Sequence, residues 1–352
     1  MGDLVLYLST FSLSVIVTKF KGFAEKHKVL YFLIVLLFPV LIATIRVDVG
    51  TDYRNYYWCY ELISTGESVP YEFLFVWLNK ISIYLFQDFR GVFFLSALIT
   101  YGCILWALER LNSDISVSIS LWIFYCIYFP ASLNGMRQLI AVAIVFLAYT
   151  YLNEEKYKHF FVLMIIAILF HTSSLVAIFA LLIKIASKKN CGITITVIAI
   201  VSIFLLFFSK SILRLLPDFI MSEFGVYIGY EKTITLQYII DLLPTFGIVF
   251  LPIIYYMFFC RSDNRYDFYC CLGSFVLPII IFGYNVSYFQ RIAYYFDVAQ
   301  MIIPSLLITR SKISSNRIIF SVFFVLFYAY FFWFATIKMG GNEIVPFKSI
   351  FS

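Results

Sequence analysis

Charged residues are scarce in this chain: Asp, Glu, Lys and Arg fill 13% of its 352 positions, where a soluble domain gives them about a quarter. That shortage excludes an ordinary soluble protein, and no stretch is long and polar enough to fold apart in water. Runs of five or more basic residues are absent as well, so the net charge of +6 carries no nucleic-acid signal and speaks to topology. The seven cysteines (59, 103, 126, 191, 260, 270 and 271) are odd in number, scattered and mostly inside apolar runs. They form neither a disulfide framework nor a metal spacing. Also missing are the G-x-G-x-x-G, Walker A, H-E-x-x-H and G-x-S-x-G motifs. Asp48 and Asp52 stand four apart, which is not the Asp-x-Asp pair of a metal-held sugar nucleotide. The energy for any reaction then comes from the substrate itself, and no metal or cofactor is expected.

What is present is apolar. Hydrophobic residues make up 62% of the chain and aromatics 21%, with a mean hydropathy of +0.93. Apolar runs recur near 4–20, 28–45, 92–108, 115–133, 138–152, 159–185, 192–209, 236–259, 267–285, 291–309 and 318–337. Most match the roughly 20 residues that one helix needs to cross the hydrocarbon core. The chain reads as an all-α, polytopic integral membrane helical bundle of about 11–13 transmembrane or re-entrant helices. It forms one membrane domain over 1–352, with external loops near 46–91 and 210–235. The opening "LVLYLSTFSLSVIVTKF" lacks a basic start and a small-residue cleavage site, so it reads as an uncleaved first span.

Two runs fit a single crossing poorly. "YEFLFVWLNKISIYLF" (71–86) is short and interrupted by Asn79 and Lys80, and reads as amphipathic or re-entrant. "HFFVLMIIAILFHTSSLVAIFALLIKI" (159–185) carries His171, Thr172, Ser173 and Ser174 at its centre, as a long tilted helix or a hairpin turning at "HTSS". The positive-inside rule chooses between these. With 71–86 non-crossing and 159–185 a hairpin, 15 of the 26 basic residues fall in short cytoplasmic connections. About twelve crossings result, with both termini outside.

That topology brings the unusual polar segments to the external face: "RVDVGTDYRNYYWCY", "NGMRQ", "HTSS", "YFQR" and "NEIVPFKS". Each has a plain reading. Arg46 snorkels from a helix end, Asn134 caps a helix, Arg291 anchors a span at the interface, and Tyr53, Tyr56, Tyr57, Trp58 and Tyr60 form an aromatic belt. His171, the one histidine inside an apolar run, packs through a hydrogen bond. Their conjunction points elsewhere, because charge at membrane depth is costly and marks a substrate or ion path. The planar fork of arginine suits phosphate oxygens, and an aspartate or histidine beside it suits removal of a hydroxyl proton.

In sequence and in order, "GTDYRNYY", "YEFLFVWLNKIS", "NGMRQLIAVAIVFLAYTYL", "LFHTSSLVAIFAL", "YFQRIAYYF" and "NEIVPF" resemble the EpsG family of Wzy-like bacterial polysaccharide polymerases. The resemblance implies a bundle related to the GT-C glycosyltransferases, in the bacterial cytoplasmic membrane with its site facing outward. The implied substrate is an oligosaccharide linked through pyrophosphate to undecaprenol, used for capsule, exopolysaccharide or O-antigen. The growing chain passes to an incoming lipid-linked unit, with the bilayer and a chain-length regulator as partners and no nucleic acid. Arg137 and Arg291, with Arg46 next, are then expected to stabilise the departing pyrophosphate, and His171 or Asp52 to serve as base. Tyr53, Tyr56 and Trp58 would stack on sugars, and Asp48, Glu72, Asn134, Gln138 and Gln290 complete the expected substrate-binding set. A flippase for the same lipid, an O-antigen ligase relative and a membrane-bound O-acyltransferase are the rival readings.

Overall fold

Apolar sequence this continuous has one economical solution in lipid, the helix, because its backbone groups bond within the segment. A computed structural model describes residues 2–214, 264–283 and 289–351, with isolated positions between 247 and 258. The expected external loop at 210–235 and span at 236–259 lie largely outside the described residues. In chain order the helices begin α1 (Gly2–Val17), α2 (Lys21–Lys26), α3 (Lys28–Ile45), α4 (Tyr53–Ser64), α5 (Phe73–Phe86) and α6 (Arg90–Arg110). There follow α7 (Val117–Asn134), α8 (Met136–Asn153), α9 (Tyr157–Phe170) and α10 (Ala180–Arg214, broken at Asn190). Among the described residues there is no β-strand, only an isolated bridge between Arg46 and Ser349.

Seven described helices are long and apolar enough to cross a membrane: α3, α6, α7, α8, Thr172–Phe208, Asn264–Gly283 and Ser314–Lys338. Phe289–Tyr295 and Ala299–Arg310, bent by 40°, make an eighth when taken together, and α1, α5 and α9 are shorter apolar helices. The protein is therefore a polytopic helical bundle, as its composition requires. The run 159–185 is broken at His171, whose extended backbone (φ −160°, ψ 114°) ends α9 before a 3-10 turn over Thr172–Phe179.

The chain packs as two compact units, Met1–Leu175 with Ser311–Ser352, and Val176–Arg310. In the first, α7 and α8 are apolar all round and almost wholly buried, the mark of central helices. Pro39 inside α3 removes the N–H that would bond to the Val35 carbonyl four residues back. Ser14 of α1 donates to that carbonyl instead, at 2.6 Å, and Tyr125 of α7 lies 2.8 Å from the same hydroxyl. A carbonyl left open in one helix is thus satisfied by its neighbours.

One end of this unit collects the segments of interest. Arg46, after α3, donates to the carbonyls of Leu133 (2.5 Å) and Val49 (3.0 Å) and lies over the Phe93 ring of α6 at 4.1 Å. The C-terminal segment is laced onto the same place: Val47 N–H donates to Lys348, Gly50 N–H to Glu343 and Ile350 N–H to Ile45. Tyr7 of α1 donates to the Ile344 carbonyl at 2.8 Å, so both chain ends meet there.

Both ends of α5 meet this same end. Ser82 and Phe86 press on Gly91 in the first turn of α6, and Glu72 reaches Arg137 in the first turn of α8. Since α6 and α8 both start beside Arg46, α5 lies across the end and does not run through the bundle. Its 14 residues span about 21 Å, short of the roughly 30 Å hydrocarbon core. It is one of the shorter apolar helices and not one of the seven long enough to cross, and the amphipathic reading needs correction. The outer side is apolar (Phe73, Trp77, Ile81, Tyr84, Leu85), and the polar Asn79 and Ser82 face inward. Lys80 is the one charge on this side, exposed with its ammonium 5.6 Å from the Trp77 ring centre.

In the second unit, α10 packs on the helix Asp267–Ser274, where the thiols of Cys191 and Cys271 are buried 3.6 Å apart. Asn190, with extended backbone (φ −162°, ψ 106°), breaks α10 where the sequence separates the runs 159–185 and 192–209.

Candidate functional site

Glu72 is the hub. One carboxylate oxygen accepts from Arg137 Nη1 at 2.5 Å. The other lies 2.8 Å from His171 Nδ1 and accepts the Thr172 backbone N–H at 3.2 Å. Three residues separated by 65 and 99 positions thus meet at one carboxylate, each partly open, with side-chain exposures of 16% to 23%. Glu72 is the N-cap residue of α5, yet its side chain makes no cap bond and turns to this cluster. Burial disfavours its charged form, but the hydrogen bond from His171 and the field of Arg137 outweigh burial and bring the carboxyl down to about 2.

The proton arrangement follows from that charge. An ionised carboxylate only accepts, so the hydrogen in this contact sits on His171 Nδ1. Among the described residues nothing bonds to Nε2. The guanidinium of Arg137 stacks on the Tyr71 ring at 3.9 Å, and its Nε is buried without a hydrogen-bond partner among the described residues. Tyr56 of α4, packed 6.5 Å from Tyr71 and 5.6 Å from Phe75, closes the floor. Burial pushes the Tyr56 phenol up, Arg137 pulls it down and Asp52 pushes it up again, so all three share one field.

The expected site residues divide by placement. Arg137, His171 and Glu72 come together, with Tyr56 beneath and Asp52 close by as the half-exposed N-cap residue of α4, its carboxylate making no cap bond. Arg46 is fully buried, its guanidinium held by two carbonyls, the Met136 sulfur (3.6 Å) and two rings. Asn134 is buried and donates to Asn342, to its carbonyl at 2.7 Å and its side-chain oxygen at 3.1 Å. Gln138 is buried one position beyond Arg137. Asp48 pairs with Arg54 through both oxygens in a solvent-exposed bridge. Tyr53 leans on Phe89 and Phe93, while Trp58 is 61% exposed on the outer side of α4. Gln290 and Arg291 belong to the second unit, exposed in the 3-10 turn Phe289–Tyr295.

Tyr71 and Asn342 were not expected. Tyr71 adjoins Glu72, the only acidic residue between Glu67 and Asp88, and that isolation was the available signal. Asn342 opens the polar segment "NEIVPFKS", but nothing in the sequence pointed to its partner 208 positions away.

The opposite end of this unit carries charged groups as well. Arg110 bonds Glu154 at 2.6 Å and Thr150 at 2.9 Å and lies 3.7 Å from the Tyr151 ring centre. Tyr31 donates to Glu109, and a cavity of about 520 Å³ opens between Glu25, Lys28, Trp106 and Asn112.

Helices of membrane length with polar groups clustered at their ends define a polytopic membrane protein. A family profile for the EpsG family matches residues 29–349, and the chain belongs to that family, whose members are Wzy-type polysaccharide polymerases. Comparison with curated proteins and with solved structures returns no match.

Proposed function

We propose that the protein moves a growing glycan from an undecaprenyl pyrophosphate carrier to an incoming lipid-linked repeat unit at the outer face of the cytoplasmic membrane. The observation that carries this reading is the Arg137–Glu72–His171 cluster, which pairs a phosphate-binding cation with a base whose Nε2 is unoccupied. In the reaction the acceptor hydroxyl oxygen bonds to the anomeric carbon, and the carbon–oxygen bond to pyrophosphate breaks. The electron pair leaves on the phosphate oxygen, where Arg137 meets the developing charge, and the hydroxyl proton passes to His171 Nε2. Removal of one such electrostatic group typically costs about 3–4 kcal/mol of barrier, or 10²–10³ in rate. In this reading Asp52 is an alternative base and Arg46 a positioning residue. No metal takes part in it.

The side of the membrane is argued from charge. Lys19, Lys28, Arg110 and Lys156 lie on connections at the end away from Arg46, and basic connections stay in the cytoplasm. Arg137→Ala is expected to insert normally and to yield single repeat units in place of polymer; wild-type chain lengths would overturn the assignment. His171→Ala is expected to cost far more than His159→Ala, and equal losses would reduce His171 to packing. A transporter for the same lipid is the second reading, favoured by the cavity at the Arg110 end. Polymer formed by purified protein in detergent, where no second compartment exists, excludes transport as the sole function.

A further inference from the structure

Glu72 stands between two groups that the proposed reaction needs at different moments, and it makes contact with both through different oxygens. While Arg137 pairs with Glu72, the guanidinium largely cancels the carboxylate charge that His171 experiences. An anion reaching Arg137 would compete for that guanidinium. The carboxylate would then act on the imidazole with less opposition, and the added negative charge would act in the same direction. From this geometry we infer that Glu72 couples the two halves of the site: occupancy of Arg137 by a diphosphate raises the proton affinity of His171, so the base is armed when the donor is in place.

The surroundings leave this coupling dominant. The charged and titratable groups near the pair are Arg137 from α8, Glu72 and Tyr71 from the segment before α5, and Tyr56, Cys59 and Asp52 from α4 and its N-cap. The phenols and the thiol are pushed upward, chiefly by burial, and stay neutral near pH 7. Only Arg137, Glu72, Asp52 and the imidazole carry or change charge there. Arg137 Nε is buried and without a partner among the described residues, so part of the donor capacity of this guanidinium is unspent.

By linkage, if a bound anion raises the proton affinity of His171, binding takes up protons and protons strengthen binding by the same factor. The inference rests on the proposed role of Arg137, and the test separates the two. Inorganic pyrophosphate is titrated into the full-length protein in detergent, in buffers of different ionisation enthalpy, between pH 6 and pH 8. Wild type is expected to take up more protons than His171→Gln at equal pH, approaching one per site. That difference cancels the titration of pyrophosphate itself. Wild-type affinity is expected to weaken up to about tenfold per pH unit relative to His171→Gln. Glu72→Gln is expected to keep pyrophosphate binding and to lose most of the extra uptake. Binding with equal proton uptake in wild type and His171→Gln overturns the coupling and leaves the phosphate role of Arg137 standing. Undiminished extra uptake in Glu72→Gln overturns the role of Glu72 alone. Binding unchanged by Arg137→Ala overturns the reading beneath both.

Discussion

Gly50 offers a test of the packing that carries the site. Its backbone has φ +96°, and a Cβ built there would stand 2.4 Å from Asn134 Oδ1 and 3.2 Å from Arg46 Nη1. Gly50→Ala therefore meets two penalties. Positive φ costs a non-glycine residue about 1–2 kcal/mol. The clash must displace Asn134, whose two hydrogen bonds to Asn342 hold the C-terminal segment and are worth about 0.5–1.5 kcal/mol each. Together the loss is about 2–5 kcal/mol. Gly66→Ala is the matched control, because φ is +86° there and nothing lies within 4 Å of the new carbon. Thermal unfolding of both variants in detergent should show Gly50→Ala falling well below Gly66→Ala, with a gap of several degrees at about 2–4 °C per kcal/mol. Placing Gly50→Ala on an Asn134→Ala background should recover most of that gap. Equal shifts for the two glycines would show that Asn134 does not press on Gly50, and the lacing of residues 342–350 onto Arg46 would fail with it.

Three more expectations follow from the same contacts. Ser14→Ala leaves the Val35 carbonyl without a donor beside Pro39, and should lower stability by about 1–3 kcal/mol; an unchanged melting temperature would mean that water or Tyr125 replaces the hydroxyl. Arg46→Met strips the donors from Leu133 and Val49 at a fully buried position. It should cost about 2–4 kcal/mol in thermal unfolding, and a neutral result would mark Arg46 as dispensable to the packing. Glu72 has its carboxyl lowered from 4.5 to about 2 in the folded protein, so its contribution is complete above pH 4.5 and is lost as pH falls toward 2. Unfolding temperature measured from pH 7 to pH 3 should decline more steeply on the acid side for wild type than for Glu72→Gln, and superimposable curves would contradict the pairing.

Hydropathy and charge made the broad fold legible, because both act locally along the chain. The breaks at His171 and Asn190 and the short 71–86 segment could be read because polar residues interrupt apolar runs there. The outward side of α5 could not, since which face of a short apolar helix meets lipid depends on neighbours. The site was half legible. Arg137 and His171 stood out as polar residues in apolar surroundings, whereas the placement of Glu72 between them comes from folding α5, α8 and α9 together. Arg46 looked like a residue for substrate, and its complete burial follows from a tail some 300 positions later closing over it. Asp48 carries a formal charge like the rest, but its positive φ of 52° turns it toward Arg54 and solvent.

The position of Glu72 allows stability and function to be pulled apart. A capping side chain normally accepts the first N–H groups of its own helix, and aspartate does this well at an N-cap. Glu72 occupies the N-cap of α5 without capping it, because its longer side chain reaches across to Arg137 and His171. Shortening it by one methylene withdraws the carboxylate by about 1.5 Å, enough to break contacts of 2.5 Å and 2.8 Å, and leaves an aspartate where α5 can use it. Glu72→Asp should therefore lose less stability than Glu72→Ala, since both lose the pairing with Arg137 and only aspartate gains a cap worth about 1 kcal/mol. Polymer length made from a lipid-linked repeat unit should collapse in the same variant. If Glu72→Asp, the more stable of the two, also made the longer polymer, Glu72 would be holding α5 in place and not the chemistry. A folded protein that makes no polymer assigns the residue to the site.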